Sequence, residues 1–338
     1  GTIANVAKVK VYKDGTQIGN LSGYEFNSSA AVTVTLATGA LRVMKDVPLY
    51  VELKTDFNAK EQVASGTQAR VGIGDADGNA STWGAAGSYN ITANGRDSGA
   101  TITATTITDT GAAGGTVNGG SAVGVFDGVL TVGLDANSPS GVQVAGTGRE
   151  VLRFWVTATG DEVEVYDLGF LAGGSAAGGD GTAQISGTGN AYLYNSDKSV
   201  TYADWTTTEI TQPLDPGSSG LHVSSGENTT NDAGTDGTAG WDTQLFVGAG
   251  QTKVLILVGD TTGAGGTTSS KSLQYRIDDE GATASGVQWM DTELRGLNGT
   301  GTSCTGATTD LATGAECVVD SVTYTKTLPV NGNGLTYN

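Results

Sequence analysis

The chain has 338 residues, with 17 Lys and Arg against 35 Asp and Glu and a single histidine, for a formal net charge of −18. That excess of acid repels phosphate backbones and anionic lipid, which excludes nucleic acid as a partner, and no run of about 18 apolar residues exists for membrane insertion. One His, two Cys and two Met leave too few ligands and nucleophiles for His/Cys zinc sites, haem or Ser-His-Asp chemistry, so the sequence directs attention away from an enzyme.

Strand patterns begin at once. Ala7–Tyr12 alternates apolar and polar residues, and Lys13-Asp14-Gly15-Thr16 follows as a turn. Val32–Leu36, Leu49–Leu53 and Val129–Val132 alternate in the same way. Val151–Val156 and Glu162–Leu168 flank Thr159-Gly160-Asp161, a spacing that predicts a hairpin. His222, in the Gly/Ser/Thr-rich stretch 217–226, reads as a solvated loop residue, and 217–240 as an exposed polar insert. Val254–Val258 is the longest apolar run and has the length of a strand. The best helical composition, Lys54–Ala69, is interrupted by Gly66. Short strands between Gly, Asn, Asp and Ser turns predict an all-β chain built as sandwiches.

An internal repeat organises these strands. Val11-Tyr12-Lys13-Asp14-Gly15 matches Leu193-Tyr194-Asn195-Ser196-Asp197. Leu41-Arg42-Val43 and Val51–Asp56 match Leu245-Phe246-Val247 and Leu255–Asp260 at one common spacing. Val71–Asp75 leading to Trp83 matches Tyr275–Asp279 leading to Trp289, and Val117–Gly120 matches Val330–Asn333. The ordered series predicts two tandem Ig-like sandwiches, 1–126 and 127–338. The copies are unequal: Val129–Val132, the linker Asn137–Gly141 and Val151–Leu168 have no counterpart ahead of the first. The first module is therefore expected to lack its N-terminal strands. Either it is a smaller or excised module, in keeping with a chain that opens at Gly1 without Met, or it receives a strand from another copy.

Gly128–Val132 through Ser138-Pro139-Ser140-Gly141, then Glu150–Phe154, resembles a recurrent module of large secreted S-layer-like and filament-like surface proteins of small uncultivated bacteria. Thr325–Tyr337 resembles the closing strand of that module. The resemblance implies tandem Ig-like sandwiches with a structural role at the cell surface and no catalytic residues.

Candidate sites are few. Cys304 and Cys317, thirteen positions apart, suit a disulfide worth roughly 2–4 kcal/mol in a secreted protein, with two buried thiols as the alternative. Asp75, Asp77 and Asn79 alternate around Gly78 as calcium loops do, and Asp278, Asp279 and Glu280 are acidic at the matching place, so Ca2+ is the one cofactor offered. An ordinary solvated turn is the competing reading of both. Trp83 and Trp289 read as core, with sugar stacking as the functional alternative; one of Phe154 and Trp155 must face the core and the other outward. Glu162 and Glu164 read as solvated. Sequons begin at Asn20, Asn27, Asn79, Asn90, Asn228 and Asn298 and raise glycosylation.

The expectation is an extracellular, cell-surface protein that polymerises with itself into a filament or surface layer by strand complementation. The donor is expected from Thr325–Tyr337, where Leu328, Val330, Leu335 and Tyr337 are the apolar residues of the candidate strand, or from Val129–Val132. A carbohydrate-binding adhesin recognising surface glycans, or a phage or viral surface β-protein, is the alternative.

Overall fold

The computed structural model describes residues 6–25, 32, 34–44, 46–57, 65, 67–69, 92–96, 98–103, 123–173, 191–205, 220–224, 237–262, 271–277, 286–297, 308–310, 317–320, 325 and 327–337. The chain is all-β in several sheets and divides into two compact units, Gly1–Val125 and Phe126–Asn338.

The first unit contains β1 (Val6–Lys13), β2 (Thr16–Ile18), β3 (Tyr24–Glu25), β4 (Val51–Phe57), β5 (Thr67–Ala69), β6 (Thr92–Asn94), β7 (Thr101–Thr103) and β8 (Val123–Val125). Asp14 and Gly15 both have positive φ, 48° and 77°, as a two-residue turn matched to strand twist requires, so β1 and β2 form a tight hairpin. β1 pairs with β2 and β3 along one edge and antiparallel with β4 along the other. The alternation of β1 sends Val9 and Val11 inward, and these are the fully buried apolar side chains among the described residues of this unit. Val34–Leu36, expected as a strand, is irregular. The carbonyl of Thr35 instead accepts the Tyr24 hydroxyl at 2.6 Å.

The second unit contains β9 (Gly128–Leu134), β10 (Gly141–Gln143), β11 (Arg149–Gly160), β12 (Val163–Gly173), β13 (Ala191–Asn195), β14 (Thr201–Trp205), β15 (Gly220–Ser224), β16 (Gly237–Gly240), β17 (Leu245–Val247), β18 (Thr252–Gly259), β19 (Lys271–Ile277) and β20 (Val287–Asp291). The short helix α1 (Thr292–Leu297) follows, then β21 (Thr308–Asp310), β22 (Cys317–Asp320), β23 (Val330–Asn331) and β24 (Leu335–Tyr337). One sheet runs β14-β13-β18-β11-β9. The other has the path β10-β24-β19-β12-β20-β22-β21, with β15 and β17 also on β12. Their inner faces meet in a sandwich-like core, where Phe154 of β11 contacts Phe170 of β12 edge to face at 5.7 Å and Phe170 contacts Trp205 at 6.4 Å. Trp289 is fully buried against Phe126, ring centroids 5.3 Å apart. Of the neighbours Phe154 and Trp155, Phe154 is the core residue, and Trp155 turns outward to cover Gly133 on β9.

Two sequence expectations need correction. Val151–Val156 and Glu162–Leu168 are strands, but they do not pair as a hairpin. Both edges of β11 are taken, by β18 and β9, so the chain arches at Asp161-Glu162 and places β12 in the opposite sheet. A register shift between Glu150 and Leu152 lets Val151 and Leu152 both face inward. Finally, His222 is buried rather than solvated, because β15 is an interior strand between β12 and β16. Its carbonyl accepts the Trp205 indole N–H at 2.9 Å.

The repeat extends to hydrogen-bond register. Val11 faces Leu53 across β1 and β4, and their sequence counterparts Leu193 and Leu257 face each other across β13 and β18. The same holds for Tyr12 with Glu52 and Tyr194 with Ile256.

Candidate functional site

In the second unit β18 lies between β13 and β11, so both its edges are paired and Leu255–Gly259 are all buried. Its counterpart β4 has β1 on one edge and, among the described residues, no strand on the other. Val51 is accordingly 40% exposed where Leu255 is 0%. Segment 41–43 behaves likewise. In the second unit Leu245 and Val247 pair with β12 and are both 0% exposed; Leu41 and Val43 belong to no strand and are 40% and 66% exposed. Met44, Val47 and Tyr50 extend the apolar surface. This exposure is concentrated in one stretch, unlike the scattered apolar residues every protein carries, and makes it the candidate site.

The polar face of β4 is built differently. Glu52, Lys54 and Asp56 alternate with Val51, Leu53 and Thr55, so their side chains share the face opposite the core. Lys54 pairs with Glu52 at 3.4 Å and lies 4.5 Å over the Tyr12 ring, while Lys10 meets Asp56 at 2.7 Å. That hydrogen bond with Asp56 raises the Lys10 pKa above its ordinary value. Charged side chains on an edge strand oppose indiscriminate pairing.

A concavity of about 330 Å³ lies in the second unit beside β10, with Asn137, Gln143, Arg149, Glu150, Arg153 and Tyr337 among its lining. Arg153 holds Glu150 in a two-point ion pair at 2.8 and 3.1 Å. Burial pushes the Tyr337 hydroxyl above its usual pKa, against the hydrogen bond from Thr261. Val142 and Val144 are exposed at this edge.

The proposed donor residues are engaged within their own unit. Val330 pairs with Ile277, Leu335 with Leu273 and Gly141, and Tyr337 with Lys271 and Gln143; all three side chains are buried, and Leu328 packs against the same core. Giving this segment away would open the sandwich it closes. The calcium candidates Asp75, Asp77, Asn79, Asp278, Asp279 and Glu280 lie outside the described residues, as do Cys304, Trp83 and the sequon asparagines 27, 79, 90, 228 and 298. Cys317 opens β22, where it pairs with Asp310. Among the described residues no group of three or more His, Cys, Asp or Glu is placed to hold a metal, and no helix is long and apolar enough to cross a membrane. Asn20 is exposed, but its amide donates to the Gly23 carbonyl at 2.8 Å and its side-chain oxygen accepts the Ser22 N–H at 3.0 Å.

Glu162 and Glu164 share Arg295, at 3.2 and 3.8 Å, and Glu164 is not solvated as its sequence context predicts. Burial raises the Glu164 pKa, Arg295 opposing. A carboxyl whose folded pKa lies above its unfolded one binds protons preferentially in the native state, so its ionisation subtracts stability as pH rises through that window. Glu164→Gln is therefore expected to raise the melting temperature by about 1–3 °C at pH 7 and to leave it unchanged at pH 3.5, where the wild-type carboxyl is already protonated. Scanning calorimetry at the two pH values checks this; an equal shift at both would refute the burial argument.

Comparison with protein-family models, curated proteins and solved structures finds no match to the chain.

Proposed function

We propose that the protein is an extracellular structural protein of tandem Ig-like modules that assembles with copies of itself into a cell-surface filament or layer, joined by β-strand addition to the first unit. The observation that carries this reading is a pair of positions there that no strand covers among the described residues: the outer edge of β4, and Leu41 with Val43, whose counterparts in the second unit are strand-paired and buried. Main-chain hydrogen bonds supply affinity in such joints and alternate side chains supply selectivity. An acceptor on one unit and a donor elsewhere make a heterologous contact, which propagates rather than closing on itself.

Electron microscopy and light scattering of the full chain test the reading, beside a Leu41→Asp, Val43→Asp variant whose substitutions fall on exposed positions. Polymers in the wild type that are lost in the variant are expected. Polymers that survive would move the joint elsewhere, and a wild-type monomer at high concentration would defeat it. The cleft beside β10, with its arginines and Tyr337, favours a carbohydrate-binding module in that event.

A further inference from the structure

The two open positions in the first unit are not independent. Leu245 lies 204 positions after Leu41, and Leu255 lies 204 positions after Val51. In the second unit the corresponding positions are filled by consecutive pieces of chain: β11 on the edge of β18, and β12, one arch later, on β17. A single added strand would complete only one of them. Among the described residues of the first unit, both positions are left open where the second unit has a strand–arch–strand segment with one strand for each sheet.

Charge then specifies that segment. Across the β11–β18 ladder Arg153 faces Ile256 and Glu150 faces Val258; across β12–β17 Glu164 faces Phe246. The first unit carries Glu52, Lys54 and Arg42 where the second carries Ile256, Val258 and Phe246. All three replacements oppose the charge that β11 or β12 would present. Arg153 would face Glu52, Glu150 would face Lys54, and Glu164 would face Arg42. Directly opposed unlike charges stabilise a strand pair and like charges oppose it.

Resting on the strand-addition reading above, we propose that the occupant of the first unit is an arched strand pair of the β11–β12 type, contributed by another polypeptide, since this chain's own β11 and β12 are engaged within its second unit. It runs antiparallel to β4 and to 41–43, with a cation opposite Glu52 and carboxylates opposite Lys54 and Arg42. Pairing of two β4 edges about Leu53 would also match Glu52 with Lys54, but it would leave Leu41 and Val43 uncovered, so the arch is the occupant that satisfies both positions.

The test uses the full chain and a fluorescein-labelled synthetic peptide with the sequence of residues 148–173, read by fluorescence anisotropy. Saturable binding is expected, weakened about ten-fold when the peptide carries Arg153→Glu and restored when the protein carries Glu52→Arg. A second swap, Glu164→Arg in the peptide with Arg42→Glu in the protein, provides an independent check at the other strand. Peptide binding indifferent to both swaps would overturn the proposal, as would a peptide-insensitive dimer in sedimentation, which would assign the edge to β4 self-pairing. Filaments formed by a chain that does not bind the arch would refute this occupant and leave the polymer reading standing. Charge-dependent arch binding by a chain that never polymerises would support this occupant and refute the polymer.

Discussion

Phe154→Ala is expected to lower the stability of the second unit by about 3–5 kcal/mol, the range for removing a well-packed aromatic ring from a core that cannot collapse around the hole. Phe154 is fully buried at the centre of β11, with neighbours on both edges and the Phe170 ring, itself packed on Trp205, edge to face against its own. Backbone ladders on either side hold the strand in place and prevent it from closing the cavity. Leu53→Ala, at the place in the first unit that corresponds to fully buried Leu257, is expected to cost under about 1 kcal/mol, because Leu53 keeps part of its surface in water. Denaturant unfolding is followed by tryptophan fluorescence for the second unit, where Trp155, Trp205, Trp241 and Trp289 lie, and by hydrogen exchange at β1 and β4 for the first. Equal losses for the two variants would mean that the first unit is as fully packed as the second.

Asp291→Ala is expected to cost the same unit about 2–4 kcal/mol, more than a helix cap alone contributes. Asp291 is 1% exposed and stands where β20 turns into α1. One carboxylate oxygen accepts the Leu294 N–H at 2.9 Å, which caps the helix. The other accepts the Asp127 and Gly128 N–H groups at 3.0 and 3.3 Å, which anchors the start of β9 from 163 residues away in sequence. Removing the side chain leaves those three donors without the partner they have in the folded state. Asp291→Asn keeps one acceptor oxygen and is expected to fall between wild type and alanine. Hydrogen exchange localises the effect: increased exchange at β9 together with α1 is expected, and a change confined to α1 would reduce Asp291 to a cap.

Alternation made the strands legible. β1, β9, β11 and β12 lie where apolar and polar residues take turns, and β18 where an apolar run has strand length. The partner of each strand was not legible, because alternation says which way a side chain points and nothing about what lies on the strand's edges. β11 and β12 looked like a hairpin for this reason: the turn signal between them was real, but β18, about a hundred residues further on, already occupies the edge a hairpin would need. His222 was misplaced by its surroundings, since Gly- and Ser-rich flanks describe the loop around β15 and not the five-residue strand inside it. Asp291 gave no signal because α1, at six residues, is too short to show a helical period. The unequal repeat was the feature of the candidate site that could be read early. It required only comparing two stretches in order; its energetic meaning came with the buried state of Leu245, Val247 and Leu255.

The ladders on β11 bear on how this protein responds to force. Eight registered residue pairs join β11 to β18 and seven join it to β9, all antiparallel. Hydrogen bonds in such ladders lie across the strand direction. Tension applied along β11 therefore loads both rows in shear, and many bonds must give way together before the strand slides. A pull across the sheet would instead peel the bonds away one by one. A strand held on two sides in this way is a tensile element, resistant along its own axis and weak at right angles to it.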